Sequence, residues 1–162
     1  MALQKATLAA GCFWGVQYYF DQVPGVIKST VGYTGGNTEN PTYEQVCGHK
    51  TGHAEAVELQ YDPELINFDT LLKHFFHMHD PTQLNRQGPD VGDQYRSAIF
   101  YHDESQKIVA EIVIKNSAKN FKKPIVTSLE QAATFYPAEE YHQKYTENTG
   151  HGMCHIEYKN LH

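Results

Sequence analysis

The sequence predicts an α+β domain in which helices pack on a mixed sheet in two layers, followed by an irregular C-terminal tail. Segments with the periodicity or composition of strands alternate with segments of helical periodicity. No internal repeat, low-complexity block or serine-glycine linker interrupts residues 8–145. The 162 residues are therefore expected to form a single domain, residues 1–162, with one core.

The first part of the chain is predicted to run from a strand through a helix to a second strand. Residues 6–10 form a short apolar strand that ends at Gly11. Residues 12–22 place apolar side chains four positions apart, which is typical of a helix, and a Pro-Gly pair ends it. Residues 26–33 are rich in β-branched side chains and are predicted as the second strand.

The same alternation continues through the middle of the chain. Residues 54–61 have the two-residue period of a half-buried strand, and residues 68–79 follow the helical pattern behind an asparagine N-cap. A polar loop over 87–94 leads to a buried strand over 97–101 and then to an apolar-periodic helix over 103–116. The tail after residue 145 contains two glycines and no periodicity, so we expect it to be mobile.

Composition excludes several classes of function. The net charge is −6 and the basic residues are scattered, which disfavours nucleic-acid binding. No apolar run approaches the roughly 18 residues of a membrane span, and no signal peptide is visible, so a cytoplasmic location is expected. The protein is also expected to be a monomer. Cys12, Cys47 and Cys154 lack CxxC spacing, which leaves the chemistry of individual thiols open.

Ten histidines raise the question of a metal site. His74 and His77 share a predicted helix face, and His79 follows them, but no HExxH or paired-cysteine pattern accompanies them. A surface helix face accounts for these residues. We therefore expect neither a metal nor a bound cofactor.

Cys12 is the first candidate for chemistry, because it lies between a predicted strand and a predicted helix. Unpaired N–H groups and the helix dipole favour a thiolate there, but by only about 0.3–1 kcal/mol at a surface site. Phe13 and Trp14 supply an aromatic surface beside the sulfur. Taken alone, Cys12 could equally be an inert buried thiol, and the two aromatic residues could be ordinary core.

Glu55 is the second candidate. Strand parity places it on the apolar face with Val57 and Leu59, where loss of hydration would raise its pKa and suit it to donate a proton. It could instead be a strand-end residue that reaches water, because predicted strand ends are uncertain by roughly two to four residues. Tyr33, Tyr43 and Tyr95 lie near turns.

Six stretches of the sequence together resemble the A-type peptide methionine sulfoxide reductases. They are GCFWG from Gly11, VGYTGG from Val31, NPTYEQVC from Asn40, TGHAEAVELQYDP from Thr51, HDPTQ from His79 and QYRSAIFY from Gln94. The resemblance spans nearly all of the chain, and the order of GCFWG, TGHAEAV and QYRSAI is highly specific.

The resemblance implies a βαβ, ferredoxin-like core and reduction of methionine-S-sulfoxide, free or in proteins, as a repair of oxidative damage. It also implies a role for each matching residue. The nucleophile is Cys12, the acid is Glu55, the methyl pocket is formed by Phe13 and Trp14, and the groups near the sulfoxide oxygen are Tyr43, Asp90 and Tyr95.

The resemblance further implies how the enzyme is recycled. Oxygen transfer leaves Cys12 as a sulfenic acid, which a second thiol converts to a disulfide. Cys154 in the glycine-flanked tail is the expected partner, and Cys47 is the alternative. If Cys47 has no part in recycling, it is expected to be a buried thiol at the end of a strand. Thioredoxin is the expected reductant of the disulfide.

Two other functions stay open from the residues alone. Cys12 with His53 as base could catalyse acyl transfer. Alternatively, Phe13 and Trp14 could bind methionine-containing peptides without catalysis.

Overall fold

The computed structural model describes residues 2–149 of the chain. The strands within this range are β1 (Gln4–Ala10), β2 (Val26–Thr34), β3 (Ala54–Tyr61), β4 (Arg86–Gln87), β5 (Asp90–Val91), β6 (Ser97–Tyr101), β7 (Ser128–Gln131) and β8 (Tyr136–Pro137). The helices are α1 (Phe13–Phe20), α2 (Tyr43–Cys47), α3 (Phe68–Met78), α4 (Glu104–Ser117) and α5 (Tyr145–Thr149). None of these helices is long and apolar enough to span a bilayer.

Six strands form one sheet in the order β7-β6-β1-β3-β2-β8. The pairs along β1, β2 and β3 are antiparallel, whereas β6 and β7 are parallel. The sheet is therefore mixed, and the predicted α+β class is confirmed. β4 and β5 form a separate hairpin.

The helices α1, α3 and α4 contribute to one large apolar cluster on one face of the sheet. Strand alternation explains which residues join it, because Leu8, Leu59 and Ile99 point to the helices and are fully buried. Ala9 and Phe100 point to the opposite face, where Phe135 and Ala132 pack against a smaller cluster. Because the helices pack on the face of the sheet that carries the large cluster, the C-terminal end of β1 and the N-terminal end of β3 lie beneath the N-terminus of α1.

Several predicted elements are confirmed residue by residue. β3 and β6 have the predicted bounds, and the Asn67 side chain caps α3 by accepting a hydrogen bond from the Thr70 backbone at 2.8 Å. The 87–94 loop prediction was wrong in part, because this stretch contains most of the β4–β5 hairpin. Of the predicted irregular tail, residues 145–149 are helical, and residues 150–162, with Cys154, lie outside the described range.

Candidate active site

Cys12 is the N-cap residue of α1 and is half-buried. The preceding residue, Gly11, has φ +98°, and a Cβ there would lie 2.8 Å from Cγ of Gln87. Only glycine fits this turn without strain, because that backbone conformation is disfavoured for other residues. The turn directs the chain from β1 into α1 and leaves the Cys12 thiol at the positive end of the helix.

Glu55 approaches the same helix end from the sheet. It is the second residue of β3, only 1% exposed, and its register partner on β2 is Tyr33. Its Oε1 atom accepts a hydrogen bond from the backbone N–H of Phe13 at 3.2 Å. The prediction that Glu55 faces inward is confirmed by this burial, and the bond joins its carboxyl group to the residue that follows Cys12.

Tyr43 and Tyr95 complete the polar side of the site. Burial raises the pKa of both phenols, and the proximity of the Glu55 carboxyl group raises it further. Tyr95 also interacts electrostatically with Asp90 and Cys12. These residues come from separate stretches of the sequence. The structure brings together Cys12, Tyr43, Glu55, Asp90 and Tyr95.

Phe13 and Trp14 begin a cluster of rings next to this polar group. The Tyr43 ring centroid lies 6.3 Å from that of Phe13 and 6.1 Å from that of Trp14. The Trp14 indole Nε1–H donates to Nδ1 of His142 at 2.9 Å, and the ring of Tyr145 stacks on Trp14 at 4.0 Å. Burial lowers the pKa of His142, which favours the neutral ring that accepts this bond.

His142 and Tyr145 were missed by the sequence analysis. Their segment has no helical or strand period, so pattern reasoning assigned it no role. The available signal was its aromatic content, with Phe135, Tyr136 and Tyr141 close by.

Asp90 borders a cavity of about 630 Å³ that Cys12 also lines. Lys122 and Lys123 lie on the same cavity. None of the rings around Trp14 lines it, so Cys12 lies between this cavity and the aromatic cluster.

Comparison with known proteins supports the resemblance seen in the sequence. The family model described as peptide methionine sulfoxide reductase matches residues 4–162. The chain belongs to this family. The peptide methionine sulfoxide reductase MsrA of Acidobacterium capsulatum is 54% identical over 156 residues, which are 95% of this chain and 100% of that protein. The MsrA of Geobacter sulfurreducens is 52% identical over 94% of this chain and 96% of its own.

Two solved structures have the same fold. Mxr1 of Saccharomyces cerevisiae in its reduced form has a TM-score of 0.93 and 31% identity, covering 98% of this chain and 93% of its own. Methionine sulfoxide reductase A of Corynebacterium diphtheriae has a TM-score of 0.88 and 34% identity, covering 96% and 84%.

Cys47 is close to the candidate site, but its place in the fold differs from what its sequence context suggested. It ends the short helix α2, so the expectation of a strand-end thiol was wrong. Burial raises the pKa of its thiol, while a hydrogen bond with Tyr43 acts in the opposite direction. The net rise disfavours the thiolate at neutral pH and makes Cys47 a weaker nucleophile.

His77 is exposed on the surface of α3, as expected, whereas His74 and His79 have structural roles that a surface helix face does not explain. His74 is fully buried and pairs with the Tyr19 hydroxyl at 2.7 Å, and the Nδ1–H of His79 donates to the Phe75 carbonyl at 2.5 Å. The surface explanation was therefore wrong for His74. Among residues 2–149, no group of three or more His, Cys, Asp or Glu side chains is arranged to hold a metal ion.

His53 is equally occupied. Its Nδ1 accepts from the Gly36 backbone at 3.0 Å, and its Nε2–H donates to the Thr38 carbonyl at 2.6 Å. With both ring nitrogens bonded to the backbone, His53 does not serve Cys12 as a base. The acyl-transfer hypothesis requires His53 as the base, so this hydrogen bonding argues against it.

Proposed function

We propose that this protein reduces methionine-S-sulfoxide, free or in proteins, with Cys12 as nucleophile and Glu55 as proton donor. The observation that carries the proposal is the 3.2 Å hydrogen bond from the Phe13 N–H to Glu55, which holds a buried carboxyl group beside Cys12. The names of the relatives, peptide methionine sulfoxide reductases, support the reaction.

The chemistry requires an acid, because attack on the sulfoxide sulfur would otherwise expel a strongly basic oxygen. The Cys12 sulfur forms a bond to the sulfoxide sulfur, while Glu55 transfers its proton to the sulfoxide oxygen. Tyr43 and Tyr95, whose raised pKa keeps both phenols protonated, donate hydrogen bonds to that oxygen. Oxygen transfer then yields a Cys12 sulfenic acid and the thioether.

The division of the site into two sides supports selection of one sulfoxide epimer. A sulfoxide sulfur carries an oxygen, a methyl group and the rest of the methionine side chain. Phe13 and Trp14 favour the methyl group, since it is removed from water there, and the oxygen lies toward Glu55. Exchanging the two groups, as the other epimer requires, would place the oxygen against apolar rings without a hydrogen bond.

The sulfenic acid is then converted to a disulfide. The Cys154 thiol displaces water from it, forming a bond between Cys12 and Cys154, and thioredoxin reduces this bond by thiol exchange. The external dithiol supplies both electrons, so no bound cofactor is needed. Support comes from the solved structure of S. cerevisiae Mxr1 in complex with Trx2, which has a TM-score of 0.66 and 26% identity to this chain.

The strand order also supports the ferredoxin-like core that the resemblance implied. The units β1-α1-β2 and β3-α3-β6 place their strands in the order β6-β1-β3-β2, with antiparallel neighbours. We propose that this core and the remaining elements form the single domain of residues 1–162, since one family model matches nearly that range.

The decisive experiment is a stoichiometric reaction with each sulfoxide epimer, with reductant withheld, followed by peptide mass mapping. We expect consumption of the S epimer only and a Cys12–Cys154 disulfide. Exclusive use of the R epimer, or turnover that leaves Cys12 unmodified, would contradict the proposal. Binding of oxidised peptide without any oxidation of the thiols would favour the binding module instead.

A further inference from the structure

The segment 138–145 is attached to the edge of the sheet by a glutamine side chain. This segment includes His142, which accepts the hydrogen bond from Trp14. β8 pairs with β2 only at Gly32 and Tyr33. One residue further on, the Val31 N–H donates to Oε1 of Gln143 at 3.0 Å, and Nε2 of Gln143 donates to the Val31 carbonyl at 2.9 Å. The Val31 carbonyl also accepts from the Ala138 N–H at 2.9 Å, and Nε2 of Gln143 donates to the Ala138 carbonyl at 3.1 Å. The Gln143 carboxamide thus supplies the acceptor for the Val31 N–H and extends the pairing of β2 just beyond the end of β8.

The next residue anchors the segment to α1. Lys144 has φ +57°, a conformation that is unfavourable for a non-glycine residue and persists only where surrounding contacts impose it. Its backbone N–H donates to Oε1 of the buried Gln17 at 2.7 Å. Its ammonium group bonds Asp21 at 2.7 Å and Ser29 at 2.9 Å.

These two anchors lie between the two rings that contact Trp14. His142 immediately precedes Gln143, and Tyr145 immediately follows Lys144. The 2.9 Å bond of His142 and the 4.0 Å stacking of Tyr145 therefore depend on where residues 143 and 144 are held. A shift of the segment would move both rings together and release one face of the Trp14 indole.

We propose that Gln143 is a positioning residue for the methyl pocket, acting through His142 and Tyr145 on Trp14. This inference rests on the proposed function, in which Trp14 receives the substrate methyl group. Loss of the Gln143 bonds loosens the pocket without touching Cys12 or Glu55. Misplacement of a binding group by about 1 Å can reduce rates by up to about 100-fold.

The test compares Gln143→Leu with a matched control, Gln106→Leu. The Gln106 carboxamide also bridges two backbone groups, accepting from His102 at 2.9 Å and donating to Lys5 at 2.8 Å, but it lies away from Trp14. Trp14 is the only tryptophan, so its fluorescence reports on this pocket alone. The measurements are Tm, the Trp14 emission maximum and the single-turnover rate constant with a peptide methionine-S-sulfoxide.

Both variants should lower Tm, because each loses the hydrogen bonds of a carboxamide to backbone groups. Only Gln143→Leu should shift the Trp14 emission to longer wavelength and lower the single-turnover rate constant by at least about tenfold. Wild-type emission and rate in Gln143→Leu, with only Tm reduced, would overturn the inference.

A second variant covers the case in which Gln143→Leu does not fold. Lys144→Met removes the ammonium bonds to Asp21 and Ser29 but keeps the backbone bond to Gln17, and it should shift the Trp14 emission in the same direction by a smaller amount. Unchanged emission in that variant would overturn the inference. Failure of the proposed function would look different, because wild-type protein would then reduce no sulfoxide while the emission shifts could still be measured.

Discussion

The Oε1 atom of Glu55 lies 3.2 Å from the backbone nitrogen of Phe13, so a carboxyl group from a central strand bonds the first turn of the helix that Cys12 caps. The first N–H groups of a helix have no partner within the helix. Glu55 satisfies one of them and is oriented in return. Acid and nucleophile are thereby held in a fixed relation before any substrate binds.

Replacing this acid tests its proposed role. In Glu55→Gln the amide oxygen can still accept from Phe13, but the side chain has no acidic proton to transfer. We expect the single-turnover rate with methionine-S-sulfoxide to fall by about 10²- to 10⁴-fold, the usual contribution of a general acid. Glu58→Gln, on the same strand, is the control and should keep the wild-type rate. Comparable rates for the two variants would remove Glu55 from the mechanism.

The two tyrosines near Glu55 should each contribute through a hydrogen bond to the sulfoxide oxygen. Tyr43→Phe and Tyr95→Phe should each lower kcat/KM by about tenfold, and the double variant should fall short of the product because both phenols act on one atom. Steady-state kinetics of the two single variants and the double variant provide the measurement. Tyr101→Phe, at the far end of β6, is the control, and an equal loss there would point to a general effect on the fold.

Cys47 should be dispensable for recycling. Its thiol has a raised pKa and bonds Tyr43, so Cys47→Ser keeps a hydrogen-bonding group and removes a poor nucleophile. Sustained turnover with thioredoxin should therefore continue at a rate near that of wild type. Cys154→Ser should stop after one turnover with Cys12 as the sulfenic acid, detected by dimedone labelling and mass spectrometry. The reverse pattern would make Cys47 the recycling thiol.

The stability of the protein should fall between pH 7 and pH 5 because of His79. Loss of hydration lowers the pKa of His79 from 6.5 to about 4, and its Nε2 accepts from the Ser97 hydroxyl at 2.8 Å. A folded-state pKa below the unfolded value means that the unfolded chain binds more protons between these values. Stability is then complete above about pH 6.5 and decreases as the pH falls toward 4.

The expected loss in the free energy of unfolding from pH 7 to pH 5 is roughly 2 kcal/mol for this residue. Urea denaturation at the two pH values measures it, with His79→Gln as the comparison. That variant should be less stable at pH 7 but should lose less stability on acidification. An equal loss in both proteins would assign the pH dependence to other groups, such as His102 and His142, whose pKa values burial also lowers.

The helix α2 was not predicted from the sequence, and it shows why local sequence patterns were insufficient. α2 has only five residues, too few for a helical period to be recognised, and its start depends on the Thr42 capping box and on Glu139, which accepts from the Tyr43 backbone at 3.2 Å. The latter contact joins residues 96 positions apart. A single-sequence pattern contains no information about such a pairing.

By itself, the sequence determined the mixed α+β class, the bounds of β3 and β6, the face on which Glu55 lies and the family. These follow from periodicity and from motifs, both of which are properties of neighbouring residues. Only the tertiary structure decided that Glu55 bonds Phe13 and that His142 and Tyr145 cover Trp14. The physical reason is that the alternation of side chains along a strand predicts which face a residue lies on, but not which element packs against that face. Residues 14 and 142 come into contact only after the sheet and α1 have assembled.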